Sequence, residues 1–429
     1  LSKTGVKIIQ AKWVAPMDRP ILRDAAVAIV AGKIVTVDSA GSVRQAHPHA
    51  EVIDLPRSVL LPGLINAHVH LELSNCECGA SPGGTFGDWI LSLRDRMRID
   101  PANQEQSIAD AVKNGIDQCL RFGVTCVGDI TSAIEISRGV LRSSPLRAVS
   151  FGEALGLAKL RQRFVLSLER AANVMEQSER LRIGISPHAP YSVDLPGYQE
   201  SLTRARQFDL PLATHLAESA EEEAFLKHHT GMFREIWNKL GLWDESVTTY
   251  PGSPIAFAKS IGLLDYPTLL AHVNYCDDTE MDLLANGTAS VVYCPRTHAY
   301  FGHPPHSWRE MLAKGINVAV GTDSCASSPD LNLLDDLRLL RKIAPEVPAE
   351  VIWEMATTHA ARALMLHEAV GALSPGKAAD LIAFETEGNA ALEELLAETR
   401  LPHKMWVAGT GQERSDTGAG ADGGNSTPT

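Results

Sequence analysis

No run of apolar residues in this 429-residue chain approaches the roughly 18 that a membrane-crossing helix needs. Its start, Leu1-Ser2-Lys3-Thr4, shows neither the charged n-region nor the apolar h-region of a signal peptide. Cysteine is scarce: seven residues, of which Cys76 and Cys78 form a CxC with no second pair to complete a four-cysteine zinc site. So few thiols in so long a chain are not a disulfide framework, and reduced thiols in a cytoplasmic protein are expected. A CxxC is missing altogether, which excludes the zinc-deaminase fold built on HxE and PCxxC. Basic residues are in deficit, 39 Lys and Arg against 52 Asp and Glu, for a net charge of -13. That balance argues against nucleic-acid and anionic-membrane partners, which need basic surface. It leaves a small-molecule substrate and a homo-oligomer open as partners.

What is present is ordinary globular material, 45% hydrophobic and 21% charged. The length suits one large domain and a minor one. Short, continuously apolar runs alternate with longer amphipathic stretches: Leu64–His70, Val124–Asp129, Arg147–Glu153, Arg182–Ser186, Leu212–Leu216, Thr268–Val273, Ser290–Cys294 and Asn317–Gly321. Lack of alternation is the mark of parallel strands buried on both faces. One intervening helix is expected to begin with Asp100 as N-cap and Pro101 in its first turn, and to stop at Gly123. Eight such β-then-α repeats predict a (β/α)8 barrel of the TIM type, an α/β fold, over residues 61–365; a doubly wound open sheet uses similar repeats. Two connections are long, 71–100 with Ser81-Pro82-Gly83-Gly84, and 217–267 with Tyr250-Pro251-Gly252-Ser253-Pro254. Long loops that follow barrel strands belong over the catalytic face.

The flanks differ. Residues 1–60 hold short β-like pieces, among them Ala25–Val30 and Lys33–Val37, and 366–410 look similar, which predicts a small second domain from both ends of the chain. Residues 411–429 are Gly-, Ser-, Asp- and Thr-rich and too polar to offset ordering entropy, so a disordered tail is expected.

Chemistry concentrates at strand ends. His68 and His70 stand at i and i+2 of the first strand, so their imidazoles share a face. His215, His272 and Asp323 close the fifth, sixth and eighth strands. Each alone reads as a helix cap or a hydrogen-bonded core histidine; together they offer imidazole and carboxylate donors for a divalent ion with room for water.

Leu61-Pro62-Gly63-Leu64-Ile65-Asn66-Ala67-His68-Val69-His70 resembles the first-strand motif of the amidohydrolase superfamily. Thr214-His215-Leu216-Ala217-Glu218 resembles the fifth-strand HxxE of its deaminase branch, and Leu270–Asn274 and Gly321–Ser324 its sixth and eighth strands. Pro375–Leu381 resembles the re-entry of the chain into a β-sandwich built from both termini.

The resemblance implies one metal ion, zinc or iron(II), held by His68, His70, His215 and Asp323. It implies that Asp323 also takes a proton from the metal-activated water, that His272 hydrogen-bonds that water, and that Glu218 shuttles a proton to the ring and the leaving amine. A solvated surface glutamate is the plain alternative for Glu218, as for its neighbours Glu221, Glu222 and Glu223. No lysine follows the fourth strand, where two-metal members carry a bridging carboxylated lysine or glutamate; Pro187-His188-Ala189-Pro190-Tyr191 stands there and resembles adenosine-type deaminases, in which the His contacts substrate. Trp89 resembles a residue packed over the bound base, or simply closes the loop. The seventh strand departs from the pattern, with Thr297-His298 for the usual Ser-Asn; Arg296 and His298 are candidate contacts to an anionic or ribosyl group, or loop-packing residues.

The resemblance thus implies hydrolytic deamination of an adenine-type nucleoside or related amino-heterocycle. Displacement of chloride or an alkylamine from a triazine is the alternative, and a non-catalytic scaffold the reading from another class.

Overall fold

A computed structural model describes residues 5–79, 84–97 and 103–412. Among the described residues, fifteen strands make two sheets. The chain opens with β1 (Lys7–Val14), β2 (Leu22–Val30), β3 (Lys33–Ser39) and β4 (Glu51–Pro62). It then enters β5 (Leu64–Val69), β6 (Val124–Thr131), β7 (Arg147–Ala154), β8 (Leu181–Pro187), β9 (Leu212–Leu216), β10 (Thr268–His272), β11 (Ser290–Tyr293) and β12 (Asn317–Val320). It ends with β13 (Leu381–Glu385), β14 (Lys404–Val407) and β15 (Thr410–Gly411).

Strands β5 to β12 are neighbours in sequence order and pair in parallel throughout. Helices such as Gln104–Arg121 and Leu195–Phe208 lie between consecutive strands, so each strand is buried on both faces. This is the (β/α)8 barrel that the unbroken apolar runs predict. The ring closes between β5 and the end of β12 by a single bridge, Val69 to Asp323, with the Asp323 N–H donating to the His68 carbonyl at 3.1 Å. Gly321 allows that approach, because a Cβ there would lie 2.7 Å from the His68 carbonyl oxygen.

Both chain ends build the second sheet, in the order β15-β14-β13-β4-β1-β2-β3. Its far ends curl towards each other, Lys33 bridging Ala378, which makes the small sandwich. Ile9, Val27, Leu60, Leu381 and Trp406 fill its inner face. β4 runs to Pro62, two residues past the expected division at 60, and the barrel begins at Leu64.

The first long connection carries a helix, Phe86–Arg96, whose start is a capping box between Thr85 and Asp88. The expected helix start at Asp100 and Pro101 lies outside the described residues, as do Ser81 to Gly83 and residues 413–429; the described helix runs from Gln104 and the chain turns at Gly123 with φ +84°. The second connection holds three helices, Glu221–His228, Met232–Lys239 and Pro254–Ser260. Among the described residues no helix is long and apolar enough to cross a membrane.

Candidate active site

Five side chains meet where the barrel closes. His68 and His70 leave β5 on one face; His215 sits in β9 opposite Ala271 of β10, and His272 ends β10. The backbone then bends sharply, with left-handed φ at His272 (+74°), Val273 (+52°) and Asp323 (+58°). Such strain in non-glycine residues persists where surroundings enforce it, often at functional sites. Here the His272 carbonyl is held by His306 Nε2–H at 2.9 Å, and the Asp323 carboxylate by the Ser327 hydroxyl at 3.0 Å.

The ring nitrogens are sorted by their other bonds. His215 donates Nδ1–H to the His188 carbonyl at 3.2 Å, and His70 is hydrogen-bonded to the Ile130 carbonyl. Each therefore presents Nε2 inward. His68 Nε2 and His272 Nε2 are buried with no hydrogen-bond partner among the described residues. Asp323 Oδ1 lies 3.6 Å from both His68 Nε2 and His70 Nε2, and His215 Nε2 lies 3.3 Å from His70 Nε2. Donor atoms about 2.1 Å from one tetrahedral ion lie about 3.4 Å apart, which these three pairs match; His68, His70 and Asp323 form one group of possible ligands whose atoms lie within 4.8 Å of one another, and His68, His215 and His272 another. Orphaned buried nitrogens, which are otherwise costly, fit the same ion.

Electrostatics agree with that donor set. Burial lowers the pKa of His70 to about 4 and of His272 to about 3, and takes His215 well below its ordinary value, with neighbouring imidazoles adding to the effect. All three are neutral, as metal ligands must be. Burial would raise the Asp323 pKa, but the imidazoles of His68, His272 and His70 outweigh it and keep the carboxyl ionised.

Glu218 stands beside this cluster, its Oε1 3.5 Å from His272 Nε2. It is buried, and burial, then the charges of Asp323 and Glu222, push its pKa well above the carboxylate range, against a hydrogen bond from Tyr191. It follows a left-handed residue, Ala217 (φ +50°), and the turn is fixed from two sides. Asn274 Nδ2 donates to the Glu218 carbonyl at 3.0 Å. The Glu222 carboxylate accepts the N–H groups of Ala217 (2.9 Å), Glu218 (2.6 Å) and Ser219 (3.1 Å). Glu222 was grouped with solvated neighbours in the sequence; it is instead 1% exposed. Only the acceptor role of a carboxylate four residues on could have hinted at this, and an acidic run masks it.

The opposite wall is His188 and Glu153. The Ser192 hydroxyl gives its hydrogen to the Ala189 carbonyl (3.0 Å), so in the 2.6 Å contact between Ser192 Oγ and His188 Nδ1 the imidazole donates. Burial lowers the His188 pKa to about 3; the ring is neutral and its Nε2 is an acceptor. Glu153, at the end of β7, is the residue that sequence reasoning passed over. A ligand oxygen of its carboxylate, a nitrogen of His188 and one of His215 lie within 4.8 Å of one another. Burial and the Glu72 charge push the Glu153 carboxyl up to about 8.

Trp89 reaches across from the first long loop, with Nε1–H 3.4 Å from the carbonyl of Ala326, and its ring stacks on Phe86 and meets Phe301 edge-on. Of the two readings of Arg296, its bonds favour loop packing: the guanidinium is taken up by Asp330 (2.6 Å) and Asp336 (2.9 Å). His298 is also engaged, its Nε2–H on the Pro304 carbonyl at 2.8 Å and its ring against Tyr293 and His303. Both pack the seventh loop. His306 supports His272 from behind, through its bond to the His272 carbonyl.

A family model described as the amidohydrolase family matches residues 59–410. A 5-methylthioadenosine/S-adenosylhomocysteine deaminase of Saccharophagus degradans is 27% identical over 401 residues, covering 88% of this chain and 83% of that protein. The aminofutalosine deaminase of Helicobacter pylori, solved with methylthio-coformycin, superposes with a TM-score of 0.83 at 25% identity, covering 95% of this chain and 100% of the other. An atrazine chlorohydrolase of Arthrobacter aurescens, solved with zinc, has the same fold, with a TM-score of 0.79 at 21% identity over 94% of each chain.

Proposed function

The chain belongs to the amidohydrolase family, and from that premise and the site geometry we propose a metal-dependent aminohydrolase that deaminates an adenine-type nucleoside or a closely related amino-heterocycle. His68, His70, His215 and Asp323 would hold one divalent cation, zinc or iron(II) in its place; the zinc-bound relative fold and the overlapping groups of possible ligands, which share His68, support zinc. Such an ion, when bound, makes water acidic enough to act as a nucleophile near neutral pH.

The chain's own groups then divide the proton work. Asp323, ionised among three imidazoles, accepts a proton on its carboxylate. His272, neutral, orients the attacking oxygen through Nε2. Glu218, buried beside Asp323 and Glu222, delivers a proton to the ring nitrogen and, recharged by a proton that the attacking water gives up, delivers the next to the departing amine. Tyr191 and Glu222 keep the Glu218 carboxyl aimed. His188 and Trp89 contact the heterocycle from the other side and from above. The observation that carries the reading is a buried Glu218 with its Oε1 3.5 Å from His272 Nε2, beside the cluster of possible metal ligands. The names of the deaminase relatives point the same way.

Residues 61–365 would form the catalytic unit, with 1–60 and 366–410 as a supporting sheet. A cytoplasmic setting and a homo-oligomer complete the proposal. The test is ammonia release by metal-replete enzyme from adenosine, S-adenosylhomocysteine, methylthioadenosine, aminodeoxyfutalosine, guanine, cytosine and an aminotriazine, with chloride followed on a chlorotriazine. Ammonia from an adenine compound supports the reading. Chloride or alkylamine release with every amine silent would replace it with triazine hydrolysis.

A further inference from the structure

The seventh loop, which follows β11, carries three histidines, His298, His303 and His306, to which the proposed reaction gives no chemical step. Their hydrogen bonds divide into two tasks. His298 braces the loop on itself: its Nε2–H holds the Pro304 carbonyl at 2.8 Å, and its own carbonyl accepts the His303 N–H at 3.3 Å. The other two reach the sixth loop, which follows β10. His306 holds the His272 carbonyl at 2.9 Å. His303 Nδ1 shares a hydrogen with the Tyr275 hydroxyl at 3.1 Å, and the two rings meet edge-on. Among the described residues the Tyr275 hydroxyl has no other partner. Burial, with the His298 imidazole alongside, lowers the His303 pKa to about 4, so the ring is neutral and the bond persists near neutral pH.

The sixth loop is what the Glu218 turn lies against. Val273 N–H donates to the Leu216 carbonyl at 3.0 Å, and Tyr275 N–H to the Ala217 carbonyl at 3.2 Å. Between them the Asn274 side chain donates to the Glu218 carbonyl at 3.0 Å. These bonds continue the pairing of β9 with β10 past the ends of both strands, so a displacement of the sixth loop carries the Glu218 turn with it. The loop does not hold its shape unaided. His272 and Val273 have left-handed φ, a conformation that persists where neighbours enforce it. The seventh loop supplies two of the enforcing bonds, one on the His272 carbonyl and one on the Tyr275 hydroxyl.

We propose that His303 is a positioning residue for the proton transfer: bonded to Tyr275, it fixes the sixth loop and, through that loop, the aim of the Glu218 carboxyl. The inference rests on the aminohydrolase reading. Neither His303 nor Tyr275 needs to touch the heterocycle, so the bond serves the chemical step and not the binding of substrate.

The experiment measures kcat and KM for ammonia release by metal-replete wild type, Tyr275→Phe, His303→Leu, the double variant and His303→Gln, with metal content and Tm taken for each. The substrate is the adenine nucleoside that wild type converts. Losing one neutral hydrogen bond and loosening an acid should lower kcat by about tenfold in Tyr275→Phe and in His303→Leu, with KM within about twofold of wild type. The double variant should be no slower than either single one, because both remove the same bond. His303→Gln, whose amide can still meet the hydroxyl, should recover most of the rate. Adding Tyr275→Phe to Glu218→Gln should change the remaining rate by less than about twofold, because the group being aimed no longer carries a proton. A merely structural role predicts otherwise: KM rising with the fall in kcat, no rescue by glutamine, and losses that multiply in the Glu218→Gln background. Any of these would overturn the inference, as would a wild-type kcat in Tyr275→Phe, a change of one oxygen atom that leaves the ring in place. If wild type releases no ammonia from any adenine compound, the aminohydrolase reading itself falls, and the positioning role with it.

Discussion

Asp323 meets His68 twice: its backbone N–H donates to the His68 carbonyl at 3.1 Å, and its Oδ1 stands 3.6 Å from His68 Nε2. The first contact closes the barrel and the second sets two donors of the proposed metal centre. Closing the ring and assembling the site are therefore one event, and an ion bound there would clamp the first strand to the last.

Metal binding should consequently stabilise the whole barrel. A ligand bound to the native state alone adds about 4 kcal/mol at a thousand times its Kd. Chelation should lower Tm by several degrees, zinc should restore it, and metal analysis should find one ion per chain. His70→Ala should lose both the ion and the shift. Equal Tm with and without chelator, or full metal content in His70→Ala, would contradict the ligand set.

Glu222 should matter to turnover without touching substrate. Glu222→Gln replaces one of two acceptor oxygens by an amide donor, which would face either the Ala217 N–H or those of Glu218 and Ser219. The turn carrying Glu218 should relax, lowering kcat by about 10- to 100-fold with normal metal content. A kcat equal to wild type would remove Glu222 from the machinery.

Arg296 should prove structural. In Arg296→Met the Asp336 carboxyl, fully buried, loses its counter-ion, a change that costs about 3–5 kcal/mol. Urea unfolding should show the loss, while KM stays within about threefold. A stable variant with KM raised tenfold would restore Arg296 as a substrate contact.

Acid should destabilise the protein well above the carboxylate range. Half-buried His188 and buried His306 have pKa values lowered from 6.5 to about 3. In the unfolded chain both are protonated below 6.5, so unfolding takes up protons and stability falls as pH drops from 6.5 towards 3. Each adds about 1.4 kcal/mol per pH unit to that slope. His306→Gln keeps an amide donor for the His272 carbonyl and should flatten the slope by one proton's worth between pH 6 and 4. An unchanged slope would show that His306 is not buried and neutral.

The parts legible in the sequence are those written locally. Unbroken apolar runs name buried parallel strands, and His68, His70, His215, His272 and Asp323 sit at strand ends, where barrel geometry gathers them without further information. Glu153 also ends a strand, yet a single acidic letter there has no spacing to single it out. Glu222 is the middle of three identical residues, and only the turn before it decides which one is buried. Arg296 looked free because its partners, Asp330 and Asp336, lie 34 and 40 residues further on. Charge pairing across such distances is a property of the folded loop packing, not of any local pattern.

The central claim, that Glu218 moves the proton in a metal-dependent deamination, is tested most directly by comparing wild type with Glu218→Gln, both metal-replete, on the adenine nucleoside that wild type converts. The account predicts unchanged metal content and a kcat lower by at least about a hundredfold, the scale of general acid–base catalysis. A Glu218→Gln enzyme that keeps its metal and releases ammonia at the wild-type rate would contradict it.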